Sequence, residues 1–136
     1  MKRTLTVLTT LAAAVGGILA GAPTASAADG TCTSTTGVSR GGYWTFVPTT
    51  GGGSTSCIMS RGANNDGVSE LQRALAICYG LDVGAIDGIY GSKTESAVRW
   101  LQSRTGQKVD GVYGPNTRNA VSWRWYSNGG AICSQL

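Results

Sequence analysis

Among the side chains able to do chemistry, two carboxylates stand out. Asp87 and Asp110 lie 23 residues apart in near-identical settings, and Glu95 falls between them. Two carboxylates are the minimum for glycoside hydrolysis, one as acid and one as base or nucleophile. Such a pair needs surroundings that push its two pKa values apart, and equivalent settings do not provide them. Asp followed by Gly also suits a tight turn, in which the carboxylate accepts nearby backbone N–H groups. That reading is the stronger for both positions. No histidine occurs in the 136 residues, so His-based triads and His metal sites are excluded, and a serine nucleophile has no histidine base. Gly51-Gly52-Gly53 is followed by no Lys-Ser/Thr and is not a phosphate loop. The expectation is a chain with no catalytic residues, no metal and no cofactor.

The other candidates are aromatic and basic. Trp100 and Trp123 occupy equivalent places in two predicted helices. On a wheel of 100° per residue, each lies about 115° from the centre of its helix's inner stripe, on the flank. There an indole either packs as a lid or presents its face to a sugar ring. Tyr90 and Tyr113 read as core anchors. Arg99, Arg104, Arg118 and Arg124 read as outer-face charges, with Arg99 the one best placed to pair a ligand carboxylate. An aromatic island, Tyr43-Trp44-Thr45-Phe46, sits in a Gly-, Ser- and Thr-rich stretch. We read it as a hydrophobic latch onto the main domain, with glycan contact as its other use.

Four cysteines, Cys32, Cys57, Cys78 and Cys133, lack the CxxC-like spacing of a metal site. An even count in an exported chain suggests disulfides. Four cysteines allow three connectivities, among which sequence does not choose. The pairing we favour is Cys32–Cys57 with Cys78–Cys133.

The elements that must position these groups are helical. Val68, Leu71, Leu75 and Cys78 line one stripe of a first helix, with Gly80 suited to its C-terminal cap. Ser92-Lys93-Thr94-Glu95 reads as a capping box opening a second helix, with Ala97, Val98 and Leu101 inward. Pro115 suits the first position of a third, shorter helix, which Trp123, Trp125 and Tyr126 close. No long strand pattern follows residue 60. The expected fold is all-α: a compact three-helix bundle with structured turns, an irregular N-terminal arm and disulfide staples. Its divisions are a leader at 1–27, an arm at 28–56, the main domain at 57–126 and a tail at 127–136.

A repeat lies within that domain. Residues 87–100, DGIYGSKTESAVRW, align on residues 110–123, DGVYGPNTRNAVSW, with eight identities in fourteen. Each unit is a turn followed by a helix. VxxLQ occurs at Val68–Gln72 and again at Val98–Gln102. VxxLQxxL at 68–75, DGxYGxxTxxAVxxLQ at 87–102 and DGxYGxxT at 110–117 together resemble the peptidoglycan-binding domain found on many bacterial cell-wall hydrolases. The resemblance implies a three-helix module that binds wall peptidoglycan without catalysis. With two like turns brought together by the repeat, we expect the ligand in a shallow groove beside them, bordered by the second and third helices, with Trp100, Trp123, Arg99, Asp87, Tyr90, Asp110 and Tyr113 as the residues to consider. The residues outside the module are too few for a catalytic fold.

The N-terminus reads as a secretory leader: Lys2 and Arg3, an apolar stretch from Leu5 to Ala22, and a small-residue cleavage pattern at Ala25-Ser26-Ala27. Removing it lowers the net charge from +4 to +2, nine basic minus seven acidic residues, too mild to argue for nucleic acid. The expectation is a secreted, extracellular or wall-associated monomer with no membrane span and peptidoglycan as partner. The competing readings are a small muralytic hydrolase using Asp87 or Asp110 with Glu95, and a secreted protein-binding or inhibitory protein on the same fold.

Overall fold

The computed structural model describes residues 27–136; the leader, Ala27 apart, lies outside the described residues. Strands β1 (Ser34–Arg40) and β2 (Tyr43–Thr49) are followed by helices α1 (Asp66–Tyr79), α2 (Ser92–Arg104) and α3 (Pro115–Ala120). Strands β3 (Trp123–Ser127) and β4 (Gly130–Ser134) close the chain. The four strands form one antiparallel sheet in the order β1-β2-β3-β4. The all-α expectation is therefore wrong, and the fold is mixed. The stretches read as an irregular arm and a tail contribute three of the sheet's strands, and the fourth was read as the end of a helix.

The physical reasons are local. Arg40 pairs with Tyr43, so Gly41 and Gly42 form a two-residue hairpin loop, with φ of 57° and 82°. A type I′ hairpin needs positive φ at both positions, which glycine adopts without a steric penalty. Along β2 burial alternates: Thr45 and Val47 are buried while Trp44 and Phe46 are exposed, the period of a strand. The third helix stops at Ala120, and Val121 is already extended at φ −67°, ψ 131°. From there Trp123 and Trp125 are buried and alternate with the half-buried Arg124 and Tyr126. Aromatic side chains at that period favour a pleated surface over a helix. Ser127 pairs with Gly130, leaving Asn128-Gly129 as a second two-residue turn.

The core joins both layers. Val68, Leu71 and Leu75 of α1 and Ala97, Val98 and Leu101 of α2 are buried with Val47 of β2 and Trp123 and Trp125 of β3. The Asn65 side chain caps α1 by accepting from the Val68 N–H at 3.2 Å, and Gly80, at φ 68°, ends it. The capping box expected at α2 does not form. Gly91 is the N-cap, with no side-chain cap bond, and Glu95 instead binds Arg61 and Arg99. Cys32 bonds Cys57 and Cys78 bonds Cys133. The second bond ties α1 to β4, so it links the helical layer to the sheet. With sequence separations of 25 and 55 between partners, chain-entropy reasoning assigns them about 3.5 and 4 kcal/mol. Among the described residues no helix is long and apolar enough to cross a membrane.

Candidate functional site

Each DG-Tyr-Gly turn is built around a buried glutamine. Gln72 of α1 and Gln102 of α2 are 1% and 2% exposed, a costly place for an amide unless all of it is hydrogen-bonded. The Gln102 carbonyl accepts the Asp110 and Gly111 N–H groups at 3.1 and 2.9 Å. Its amide donates to Asp110 Oδ1 and to the Val112 carbonyl, both at 2.9 Å. Gln72 does the same in the first turn. It accepts from Asp87 N and Gly88 N at 3.1 and 3.0 Å, and donates to Asp87 Oδ1 at 3.2 Å and the Ile89 carbonyl at 3.0 Å. The VxxLQ glutamine and the DG-Tyr-Gly turn are thus two halves of one device, used twice. This role was missed in the sequence, although the repeated Leu-Gln was its visible signal.

The aspartates complete the turns. Asp87 Oδ1 accepts from Ile89 N and Asp110 Oδ1 from Val112 N, both at 2.9 Å. The Ile89 N–H, with the Gln72 amide, holds the Asp87 carboxyl below its ordinary pKa. That is the opposite of what a general acid requires. Gly88 and Gly111 have φ of 78° and 70°. A Cβ on Gly88 would meet Ser69 Oγ at 2.9 Å, and one on Gly111 would meet Glu95 Cγ at 2.7 Å.

The two turns touch. The buried Tyr90 hydroxyl donates to the Gly111 carbonyl at 2.8 Å, and the segment 58–65 binds both turns. Met59 exchanges backbone bonds with Tyr113, while Asn65 N donates to Gly88 O and Tyr90 N to Ala63 O. Tyr113 is fully buried, edge-on to Trp123 at 6.3 Å, and among the described residues its hydroxyl has no partner. Burial raises the pKa of both tyrosines, so both stay neutral.

The tryptophans part company. Trp123 is buried, its indole N–H donating to the Arg118 carbonyl, so it has no face for a ligand. Trp100 is 39% exposed, edge-on to Tyr79 at 6.2 Å, with Arg104 over its ring at 5.3 Å. Arg99 spans Glu95 and the Val109 carbonyl. Glu95 also pairs with Arg61 at 2.8 Å. Two exposed guanidiniums therefore share one carboxylate beside the turns, whose own aspartates, Asp87 and Asp110, add two further carboxylates. Of the two indoles only Trp100 is exposed, and beside it the turns present Arg61, Arg99 and the half-exposed Ile89.

Residues 64–121 match the family described as "Putative peptidoglycan binding domain", and the chain belongs to that family through this segment. It is similar to the crystal structure of the SleB N-terminal domain, with 36% identity over 46% of this chain and 85% of that one, at a TM-score of 0.44. It is also similar to a peptidoglycan-binding protein from Clostridioides difficile solved in complex with glutamine hydroxamate. There the identity is 28% over 61% of this chain and 53% of that one, at a TM-score of 0.47. No curated protein matches the chain.

Proposed function

We propose that this chain binds peptidoglycan outside the cell or in the wall and does not cleave it. The carrying observation is the family segment itself, residues 64–121. The exterior location is supported by the two disulfides, which persist in oxidising surroundings. The non-catalytic role is supported by how the three carboxylates of the hydrolase reading are used. Asp87 and Asp110 hold their own turns, and Glu95 is shared by two arginines.

The binding face of this reading surrounds Arg99, with Arg61 beside it and Trp100 on the flank. Guanidiniums suit the carboxylates that end peptidoglycan stem peptides. Asp87, Asp110, Tyr90, Tyr113 and Trp123 act by holding that face in shape. Sedimentation with purified insoluble peptidoglycan, with turbidity followed in parallel, tests the proposal. The protein should pellet without clearing the suspension, and Arg99→Ala and Trp100→Ala should pellet less while keeping their circular dichroism. Clearing would establish the hydrolase. Neither pelleting nor clearing would favour the protein-binding alternative.

A further inference from the structure

The sheet carries an aromatic surface that the turns and helices do not use. Trp44 pairs with Tyr126 across β2 and β3, so the two share a face, and Phe46 joins them two residues along β2. Their rings do not sink into the core. Trp44 is 39% and Phe46 44% exposed, and the Trp44 and Tyr126 rings lie 6.5 Å apart, tilted by 31°. The outer strands leave room around them. Gly37 stands opposite Phe46 and Ser39 opposite Trp44 on β1, and Ala131 stands opposite Tyr126 on β4. Glu70 and Arg73 of α1, paired at 3.6 Å, edge the same cleft, whose volume is about 330 Å³.

We propose that this cleft is a saccharide site that takes β-linked amino-sugar rings, the chemistry of a peptidoglycan glycan strand. A pyranose has an apolar C–H face and a rim of hydroxyl and amide groups. The aromatic stripe matches the first, and the Glu70–Arg73 edge, with a donor and an acceptor, matches the second. The volume falls at the small end of ligand clefts, which run from about 300 Å³ upward. Two non-coplanar platforms suit successive sugars, which turn relative to one another about the glycosidic bond. A second copy of this chain fits less well. The exposed parts of three aromatic side chains amount to on the order of 200 Å², whereas a stable interface buries about 800 Å² per partner. Burial raises the pKa of Glu70, consistent with an edge partly withdrawn from water. This inference rests on the peptidoglycan reading only for which saccharide is met. The strands that carry the rings lie outside the family segment and Glu70 and Arg73 lie inside it, so the cleft forms where the sheet meets the module.

The test uses a soluble β-1,4-linked N-acetylglucosamine tetramer, followed through the indole N–H signals of the oxidised protein by NMR. The Trp44 signal should shift saturably and the Trp100 signal should stay in place. Trp44→Ala and, as a second variant, Phe46→Ala should each weaken binding roughly tenfold. The Trp123 and Trp125 signals report whether each variant remains folded. No shift at Trp44, a shift confined to Trp100, or a concentration-dependent dimer that Trp44→Ala dissociates would each overturn the proposal. Sedimentation of the wild type with insoluble peptidoglycan decides the broader reading separately. Pelleting without a tetramer-induced shift removes the sheet site alone, and a shift without pelleting keeps the sheet site and removes the wall-binding role.

Discussion

Replacing Gln102 by Leu tests the turn architecture at its centre. The substitution keeps a side chain of similar size but removes every polar atom that holds residues 110–112. The buried Gly111 N–H loses its only acceptor within 3 Å, and leaving a buried donor unpaired costs about 1–3 kcal/mol. Asp110 N, Asp110 Oδ1 and the Val112 carbonyl are only part-buried. Water can reach them, so each loses the net value of one bond, about 0.5–1.5 kcal/mol. The sum is about 2.5–7.5 kcal/mol, a large share of the roughly 5–15 kcal/mol of a small domain. Urea and thermal unfolding followed by circular dichroism, with both disulfides intact, measure it. Lys108→Ala, at an exposed position in the same loop, is the control. A Leu variant within ~0.5 kcal/mol of wild type would refute the claim that the glutamine holds the turn.

Three further outcomes follow from the same geometry. Gly111→Ala should cost about 2–4 kcal/mol, because a positive φ is joined by a 2.7 Å clash with Glu95, while Gly106→Ala, at φ 68° in open space, should cost about 1 kcal/mol; equal melting temperatures would remove the clash from the argument. Tyr90→Phe should lose about 1 kcal/mol with its bond to Gly111, whereas Tyr113→Phe, whose hydroxyl has no partner, should be neutral or stabilising in the same melts. Because the folded-state pKa of Asp87 is depressed, its stabilisation is present above the unfolded value of about 3.9 and is lost as pH falls through the folded value. The melting-temperature gap between wild type and Asp87→Asn should therefore narrow below pH ~4, and a gap constant from pH 7 to 2 would contradict the assignment.

Much of the helical half was legible because its signals are local. The stripe through Val68, Leu71 and Leu75, the cap at Gly80, Pro115 opening a short helix and the doubled DG-Tyr-Gly motif each depend on neighbours within a few residues. The sheet was not read, although both hairpins carried a turn signal, Gly41-Gly42 and Asn128-Gly129. Its central pairing joins Trp44 to Tyr126, 82 positions apart in the chain, and nothing local announces that partner. The Trp123–Tyr126 run was assigned to the helix because Ala120 and Val121 continue a helical stripe. Its alternation of aromatic and polar residues was the competing signal, and the core won it by burying Trp123 and Trp125.

The Asp-Gly pairs announced tight turns, and the Asp87 and Asp110 carboxylates accept the Ile89 and Val112 N–H groups there; Ser92 and Glu95 illustrate how a motif can be overridden. Their spacing fits a capping box, yet the helix starts one residue early, with Gly91 as N-cap and Ser92 already helical, so Glu95 falls one position past N3 and pairs with two guanidiniums instead. Trp100 and Trp123 are equivalent in the repeat and differ in the fold, since Trp100 lies within α2 and Trp123 opens β3. Repetition fixed their register but could not reveal what would cover them.

The central claim is tested most directly by incubating the oxidised protein with purified insoluble peptidoglycan, then quantifying protein in the pellet and soluble wall fragments in the supernatant by mass spectrometry. The account predicts saturable depletion of the protein into the pellet, with no fragments above those of a protein-free control. Fragment release that grows with protein concentration would contradict the non-catalytic reading, and a pellet without protein would contradict binding.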